Sequence, residues 1–220
     1  MLGNIKISPS ILSADFGNLE SEIKKICSSQ SDFIHIDVMD GNFVPNLTIG
    51  PDVIKQIRKH SELKFDVHLM IQNPDLYYLD YIESGADILT FHVEASKDPA
   101  GLIDKIHQKG SLAGISIKPN TEIGEILPYL EKLDLILIMS VEPGFGGQKF
   151  LDSILEKVSE ISKLVANLPR KPIISVDGGI NKETGAKAIK AGANMLVSGT
   201  YLFNSDNFSK AVLDLKNSLC

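Results

Sequence analysis

The segment that decides the fold is Phe33-Ile34-His35-Ile36-Asp37, a short apolar run that ends in a charged residue. Side chains alternate along a strand, so His35 and Asp37 share one face and Ile34 and Ile36 share the other. Short runs dominated by large apolar residues are typical of parallel strands that are buried on both faces. We therefore predict a buried parallel strand over residues 33–37, with polar groups at its carboxyl end.

Seven further runs have the same character, each four to six residues long and rich in Ile, Val, Leu or Phe. They are Ile5–Ser8, Phe65–Met70, Ile88–His92, Leu112–Ile117, Leu135–Met139, Ile173–Val176 and Met195–Ser198. Segments with helical periodicity separate them, as in Leu19, Ile23 and Ile26, which are spaced four and three residues apart. Asn or Asp precedes several of these segments and is the expected N-cap, at Asn18, Asn73, Asp98, Asn181 and Asp206.

Eight strands that alternate with eight helices predict a parallel sheet with crossover helices. The spacing of roughly 25 to 30 residues corresponds to one βα unit. A doubly wound sheet is the alternative, but it usually has a glycine-rich turn after the first strand, where this chain has Ser8-Pro9-Ser10. We predict an α/β fold, a single (β/α)8 TIM barrel domain over residues 1–220.

Composition excludes several classes of partner. The formal net charge is −6, which disfavours binding to nucleic acid and to anionic membranes. No apolar run approaches the length of a membrane span, and the N-terminus does not resemble a signal peptide. Cys27 and Cys220 are predicted to be free thiols, which suits a reducing cytoplasm. We expect a soluble cytoplasmic protein whose phosphate contacts, if any, come from backbone N–H groups.

Polar side chains collect at the predicted strand ends. His35 and Asp37 end the second strand, His68 lies near the end of the third, and Asp177 follows the seventh. In a barrel these ends meet at one mouth, where active sites lie. Two histidines and two aspartates suit a divalent transition metal such as Zn²⁺, Mn²⁺ or Fe²⁺ better than Mg²⁺ or Ca²⁺.

Other polar residues have simpler interpretations. His92 is expected to be structural or solvent-facing, and His60 and His107 to lie on the surface of helices. Asp15 and Asp40 are expected to be turn residues. Met39, Met70 and Met139 lie at or just beyond strand ends, and their spacing alone favours simple core filling.

Glycines follow the last three predicted strands. They occur in Pro143-Gly144-Phe145-Gly146-Gly147-Gln148, in Gly178-Gly179 and in Ser198-Gly199-Thr200. Barrels of this type bind phosphate at the loops after strands seven and eight, where glycines let backbone N–H groups approach the oxygens. The loop after strand six is either a flexible surface turn or a lid that closes over a substrate.

These motifs resemble the ribulose-phosphate 3-epimerase family, and the resemblance extends from residue 7 to about residue 203. It is carried by Ser8-Pro9-Ser10-Ile11-Leu12, by His35-Ile36-Asp37-Val38-Met39-Asp40-Gly41 with Asn42–Asn46, by Asp66-Val67-His68-Leu69-Met70, by Val141–Gln148 and by Val176–Ile180. One departure is Gly199-Thr200, where the family commonly has Gly-Ser. Threonine keeps the hydroxyl and the backbone N–H, so we expect phosphate binding to persist.

The resemblance implies one divalent metal ion per subunit (Zn, Fe(II), Mn or Co) held by His35, Asp37, His68 and Asp177. It implies that Asp37 and Asp177 are the acid/base pair that epimerises C3 of D-ribulose 5-phosphate through a cis-enediolate. The implied substrate contacts are Ser10, His68, Met39, Met70, Met139, Gly144, Gly146, Gly147, Asp177, Gly178, Gly179, Gly199 and Thr200. A homo-oligomer is implied as well.

Two other functions stay open at this stage. An epimerase of a ketohexose 6-phosphate such as D-allulose 6-phosphate would share the barrel, the metal site and both aspartates. Such relatives tend to lose the second glycine of the pairs that are intact here as Gly146-Gly147 and Gly178-Gly179. A barrel that binds a phosphorylated ligand without catalysis is the other possibility, and the four metal-type side chains argue against it.

Overall fold

A computed structural model describes residues 5–218 of the chain. Within that range eight parallel strands form one sheet. They are β1 (Lys6–Pro9), β2 (Phe33–Met39), β3 (Lys64–Met70), β4 (Ile88–His92), β5 (Leu112–Ile117), β6 (Leu135–Met139), β7 (Ile173–Asp177) and β8 (Met195–Ser198). The predicted bounds of β4, β5, β6 and β8 match those observed. Predicted β1 is shifted by one residue at both ends, and β2, β3 and β7 differ by one or two residues at one end.

The strands follow the order β1-β8-β7-β6-β5-β4-β3-β2, and each neighbouring pair is parallel. The first and last members of this order meet at a parallel bridge between Ser10 and His35, and the amide of Asp32 donates to the carbonyl of Ile7. These contacts bring β1 beside β2 and close the sheet into a barrel. The predicted (β/α)8 barrel is therefore confirmed.

Eight α-helices lie within residues 5–218. They are α1 (Leu19–Cys27), α2 (Pro51–Arg58), α3 (Pro74–Glu83), α4 (Pro99–Gln108), α5 (Ile154–Val165), α6 (Lys182–Ala191), α7 (Thr200–Phe203) and α8 (Phe208–Lys216). The strict alternation of strands and α-helices fails at two places. The connection from β5 to β6 consists of two 3₁₀ turns, Ile123–Glu125 and Leu127–Tyr129, and both α7 and α8 follow the last strand. Pro128 has no N–H and restricts the residue before it, so an α-helix cannot run through this segment.

The N-cap predictions have mixed outcomes. Asp98 and Asn181 accept hydrogen bonds from the first turns of α4 and α6. Asn18 and Asn73 stand at the N-cap positions of α1 and α3 without a side-chain hydrogen bond. The prediction of Asp206 was wrong by one residue, because Asn207 caps α8 by accepting from the amide of Lys210.

The core has two main layers, one on each face of the sheet. Outward-facing residues such as Ile34 and Ile36 pack in a large apolar cluster with helix residues such as Ile23. A smaller cluster that includes Phe33 and Leu135 lies inside the barrel. Side chains alternate along β2, so His35 and Asp37 share the inward face with Phe33 and lie nearer the carboxyl end, where the candidate site is found.

Candidate active site

Four side chains from three strands meet inside the carboxyl end of the barrel: His35, Asp37, His68 and Asp177. One potential ligand atom from each lies within 4.8 Å of the others. The register explains the meeting, because Asp37 pairs with His68 across β2 and β3. Asp177 ends β7, which is separated from β2 by β8 and β1. The two carboxylates therefore enter the site from different sides of the barrel.

The carboxylate of Asp37 is held from several directions. Its Oδ2 accepts a hydrogen bond of 2.6 Å from the hydroxyl of Ser10, and its Oδ1 lies 3.2 Å from Nε2 of His35 and 3.1 Å from Nδ1 of His68. The side chains of His35 and His68 are fully buried, and Asp37 is nearly so. The floor of the site is therefore buried and hydrogen-bonded. The side chain of Asp177 lines the cavity and is only partly buried.

The surroundings of the two carboxyl groups shift their pKa values in opposite directions. Burial would raise the pKa of Asp37, but the positive charge of His35 and the hydrogen bonds from His35 and His68 outweigh it and hold that pKa far below its usual range. Burial and the negative charge of Asp37 raise the pKa of Asp177 to about 7. Among the protein groups alone, Asp37 is thus a carboxylate at neutral pH, whereas Asp177 can hold a proton.

His35 is oriented by a residue that the sequence reasoning missed. Asp66, which lies beside His35 in the register of β2 and β3, places Oδ2 2.7 Å from Nδ1 of His35. Asp66 is almost completely buried. Its carboxylate accepts a hydrogen bond from Nδ1 of His35, so Nε2 is the nitrogen that faces Asp37; Nε2 holds a proton when His35 is charged and a lone pair when the ring is neutral. The spacing Asp66-Val67-His68 placed Asp66 on the same face as His68, but only the register reveals its partner.

The donor set fits a divalent cation. With Nδ1 of His35 donating to Asp66, a neutral His35 presents a lone pair to an oxygen of Asp37 only 3.2 Å away. Two electron-rich atoms at this distance require a positive charge between or beside them. Burial opposes protonation of His35, yet Asp37 and Asp66 raise its pKa well above the usual value, which reports the same demand for positive charge. Two histidines and two aspartates satisfy the preference of divalent transition metals.

His92 also belongs to this assembly, and of the two expectations for it, structural or solvent-facing, its burial confirms the structural one. It is fully buried, and its Nε2 lies 3.0 Å from Nε2 of His68. Its Nδ1 lies 3.1 Å from Oε2 of Glu94.

The other polar residues with simple interpretations lie away from this cluster. Asp15 and Asp40 accept hydrogen bonds from nearby backbone amides in their turns. His60 and His107 are partly exposed and lie beside Glu20 and Asp134, respectively. Cys27 is a free thiol, while Cys220 lies outside the described residues.

A cavity of about 260 Å³ opens above the two aspartates. Its wall includes all three methionines of the predicted set, Met39, Met70 and Met139. Met39 and Met70 lie side by side in β2 and β3, while Met139 lies beside Asp177. His35 and His68 lie beneath the lining. The methionines therefore cover the aspartate end of the cavity with apolar, polarizable surface. All three are also buried in apolar clusters, so the core filling that their spacing favoured is confirmed and the cavity lining is an additional role.

The glycine segments also line this cavity. The lining includes Gly144, Gly146, Gly147, Gly178, Gly179, Gly199 and Thr200. At Gly179 the backbone φ is +57°, and a Cβ would lie 2.6 Å from the amide nitrogen of Phe150 and 2.8 Å from the carbonyl oxygen of Gln148. The segments after β6 and β7 pack this closely only because the residue has no side chain.

The loop after β6 is tied to the loop after β2. The side-chain amide of Asn46 donates to the carbonyl of Gly144 at 2.8 Å, and that of Gln148 donates to the carbonyls of Glu142 and Phe145. The loop is therefore an ordered wall of the cavity in this conformation. Phe145 at its tip remains 55% exposed.

Known proteins share the sequence of this chain over nearly its whole length. The sequence model described as "Ribulose-phosphate 3 epimerase family" matches residues 6–203. The chain belongs to this family. A ribulose-phosphate 3-epimerase of Bacillus subtilis (strain 168) is 45% identical over 215 residues, which cover 97% of this chain and 99% of that protein. One from Schizosaccharomyces pombe is 43% identical, with coverage of 97% and 93%.

Solved structures support the fold of this epimerase-family chain. A mutant α-subunit of tryptophan synthase from the hyperthermophile Pyrococcus furiosus aligns with a TM-score of 0.69 over 100% of this chain and 98% of that one, at 12% identity. Such a low identity carries the fold alone. Among residues 5–218 we find no helix that is long and apolar enough to cross a bilayer. The cytoplasmic location and the homo-oligomeric state stay predictions.

Proposed function

We propose that the chain is a metal-dependent 3-epimerase that interconverts D-ribulose 5-phosphate and D-xylulose 5-phosphate. Family membership supports the substrate class. The observation that carries the mechanism is the pair Asp37 and Asp177, two carboxyl groups that line one cavity and reach it from separate strands. Two carboxyl groups on different sides of a bound sugar are suited to act as an acid/base pair.

Inversion at C3 requires removal of a proton from one face of the sugar and delivery of a proton to the other. Asp37 approaches from β2 and Asp177 from β7, so the two carboxyl groups can serve opposite faces. The ionised group acts as the base, and the protonated group supplies the returning proton to the cis-enediolate. The roles exchange when the reaction runs backwards, because each turnover leaves the base protonated and the acid ionised.

The metal would be held by His35, Asp37, His68 and Asp177. A divalent ion bound there supplies positive charge that stabilises the negative charge developing on the enediolate oxygens. Zn, Fe(II), Mn and Co all accept this donor set. The protein holds the ligands ready, because Ser10 fixes Asp37 and Asp66 fixes His35.

The phosphate would bind at the glycine side of the cavity. Backbone N–H groups of Gly146, Gly147, Gly179, Gly199 and Thr200 offer donors without the cost of bringing cationic side chains together. Thr200 keeps a hydroxyl at the position where the family commonly has serine. This hydroxyl lies 3.2 Å from that of Ser13. Gly144 and Gly178 complete this wall, while the methionines and Ser10 would contact the sugar carbons and oxygens near the aspartates.

Turnover of two sugar phosphates, each with and without a strong chelator, tests the proposal. We expect D-ribulose 5-phosphate to be epimerised at least about tenfold more efficiently than D-allulose 6-phosphate, and chelation to abolish the activity until a divalent metal is restored. Preference for the hexose phosphate would reassign the substrate. Binding of both sugar phosphates without turnover, in a metal-loaded preparation, would make the chain a binding protein.

A further inference from the structure

His92 and Glu94 lie outside the proposed set of ligands and substrate contacts, yet both are tied to it. His92 is fully buried and ends β4, next to β3, which carries His68. The three side chains form a linear series, in which Nε2 of His68 is 3.0 Å from Nε2 of His92 and Nδ1 of His92 is 3.1 Å from Oε2 of Glu94. The series runs from the four proposed metal ligands to the loop after β5.

The carboxylate of Glu94 fixes the direction of the series. Its Oε1 accepts a hydrogen bond of 2.9 Å from the amide of Lys118 and another from the hydroxyl of Thr121. A backbone amide can only donate, so Oε1 must remain an acceptor. Burial would raise the pKa of Glu94, but these bonds and that from His92 lower it to about 2, so Oε2 is an acceptor as well. Nδ1 of His92 therefore carries a proton.

The contact between the two imidazole rings determines the other nitrogen of His92. Two ring nitrogens 3.0 Å apart can share only one proton, so one of them donates and the other accepts. In the proposed site His68 would bind the metal through Nδ1, and a neutral imidazole bound in this way keeps its N–H group at the other nitrogen. Nε2 of His68 is then the donor, and Nε2 of His92 is the acceptor. His68 then presents its lone pair at Nδ1, the atom that lies 3.1 Å from Asp37.

We propose that Glu94, acting through His92, is a positioning residue that holds His68 as the Nε2–H tautomer and leaves Nδ1 free to bind the metal. Asp66 does the same for His35 in a single step, with the opposite tautomer. Asp66 and Glu94 thus fix the tautomers of the two histidine ligands. The inference rests on the proposed metal site. Loss of a group that orients a metal-binding histidine typically lowers metal affinity about 10- to 100-fold.

Glu94→Gln is the sharpest perturbation, because it keeps the shape and removes one acceptor. If the amide oxygen of the glutamine accepts from the amide of Lys118, its NH₂ group faces His92 and donates to Nδ1, which reverses the direction of the hydrogen bonds. If the oxygen accepts from His92 instead, the NH₂ group faces the backbone N–H of Lys118, and two donors oppose each other. We expect zinc(II) affinity, measured by competition with a chelating dye, to fall about 10- to 100-fold. His92→Leu should have a similar effect, and His92→Gln, which keeps an acceptor near His68, should recover most of the affinity.

Thr121→Val is the matched control, since it removes a different hydrogen bond to Glu94 and leaves His92 in place; we expect its zinc affinity to stay within about threefold of wild type. ¹⁵N NMR of the zinc-loaded wild-type protein should show a proton on Nδ1 of His92 and on Nε2 of His68. A proton on Nε2 of His92 would overturn the inference, as would unchanged zinc affinity in both Glu94→Gln and His92→Leu. Failure of the wild type to bind any divalent metal would instead remove the proposed metal site, and the inference with it.

Discussion

The hydroxyl of Ser10 donates a hydrogen bond of 2.6 Å to Oδ2 of Asp37 across the seam that closes the barrel. Ser10 follows β1, and Asp37 lies within β2. With Oδ2 held by Ser10, Oδ1 of Asp37 faces the two histidines. The same contact therefore joins the two strands at the seam and orients the proposed base.

Ser10→Ala is expected to lower kcat about tenfold to a hundredfold. A hydrogen bond to a charged group contributes about 1.5–3 kcal/mol, and each 1.36 kcal/mol in the barrier is tenfold in rate. Ser13→Ala is the control, because the hydroxyl of Ser13 contacts Thr200 and not Asp37. We expect that variant to change KM more than kcat. Steady-state kinetics of both variants checks this, and equal loss of kcat in the two would contradict the role given to Ser10.

Asp37→Asn and Asp177→Asn should each lower kcat by about 10²- to 10⁴-fold, the contribution usual for a positioned acid or base. Both substitutions preserve shape and remove the proton-transfer group. Asp40→Asn serves as a control, since the carboxylate of Asp40 accepts from the backbone amides of Asn42 and Gln72, in the loops after β2 and β3, and does not line the cavity. Rates should be measured at saturating metal, so that weaker binding of the cation is not mistaken for lost proton transfer. Wild-type kcat in either variant would remove that residue from the pair.

Gly179→Ala should both destabilise the protein and weaken substrate binding. The residue has a left-handed backbone, which costs a non-glycine residue about 1–2 kcal/mol, and the new methyl would meet the backbone of Phe150. Displacement of that segment would disturb the proposed phosphate contacts, so we expect KM to rise at least tenfold. Gly124→Ala is the control, because a Cβ there meets no atom within 4 Å. Urea unfolding and KM measurements on both variants give the test, and a wild-type KM in Gly179→Ala would count against this phosphate site.

Glu94 should make the free energy of unfolding depend on pH in the acidic range. Its pKa falls from an ordinary value near 4.3 in the unfolded chain to about 2 when folded. A depressed carboxyl pKa contributes stability that is complete above the unfolded value and is lost as the pH falls toward the folded value. Allowing for its partial exposure, we expect Glu94→Gln to cost about 1–2 kcal/mol at pH 7 and progressively less between about pH 4.5 and 2.

Urea unfolding of the metal-free wild type and variant at pH 7, 4 and 3 measures this dependence. Glu122→Gln controls for loss of a negative charge, since Glu122 is an exposed neighbour in the same loop as Thr121. A difference between wild type and Glu94→Gln that stayed constant over this pH range would show that the carboxylate is not ionised in the way proposed.

The strands were predictable because they carry a local signal, a short run of large apolar residues between polar segments. The helix expected between β5 and β6 was not found, because Pro128 interrupts the segment and two 3₁₀ turns replace it. The N-cap of α8 was missed by one residue, since Asp206 and Asn207 are both good caps and only the backbone geometry distinguishes them.

The site divides in the same way. His35 and Asp37 were found from their spacing, and His68 and Asp177 from their position at strand ends. Asp66 and His92 were missed because their contacts depend on register and on which strands are neighbours, and neither is written in the local sequence. His92 in particular looks like an isolated histidine along the chain, and it joins His68 only when β4 packs beside β3.

Solvent deuterium at C3 tests the central claim, transfer of a proton between two opposed aspartates, most directly. Wild-type enzyme would be incubated with D-ribulose 5-phosphate in D₂O and stopped at low conversion, and both sugars would be examined by NMR. We predict deuterium at C3 of nearly all the D-xylulose 5-phosphate and little in the recovered D-ribulose 5-phosphate, because one group removes the original proton and the other delivers one from solvent. Product that retains hydrogen at C3, or equal labelling of substrate and product from the earliest times, would contradict the two-base account.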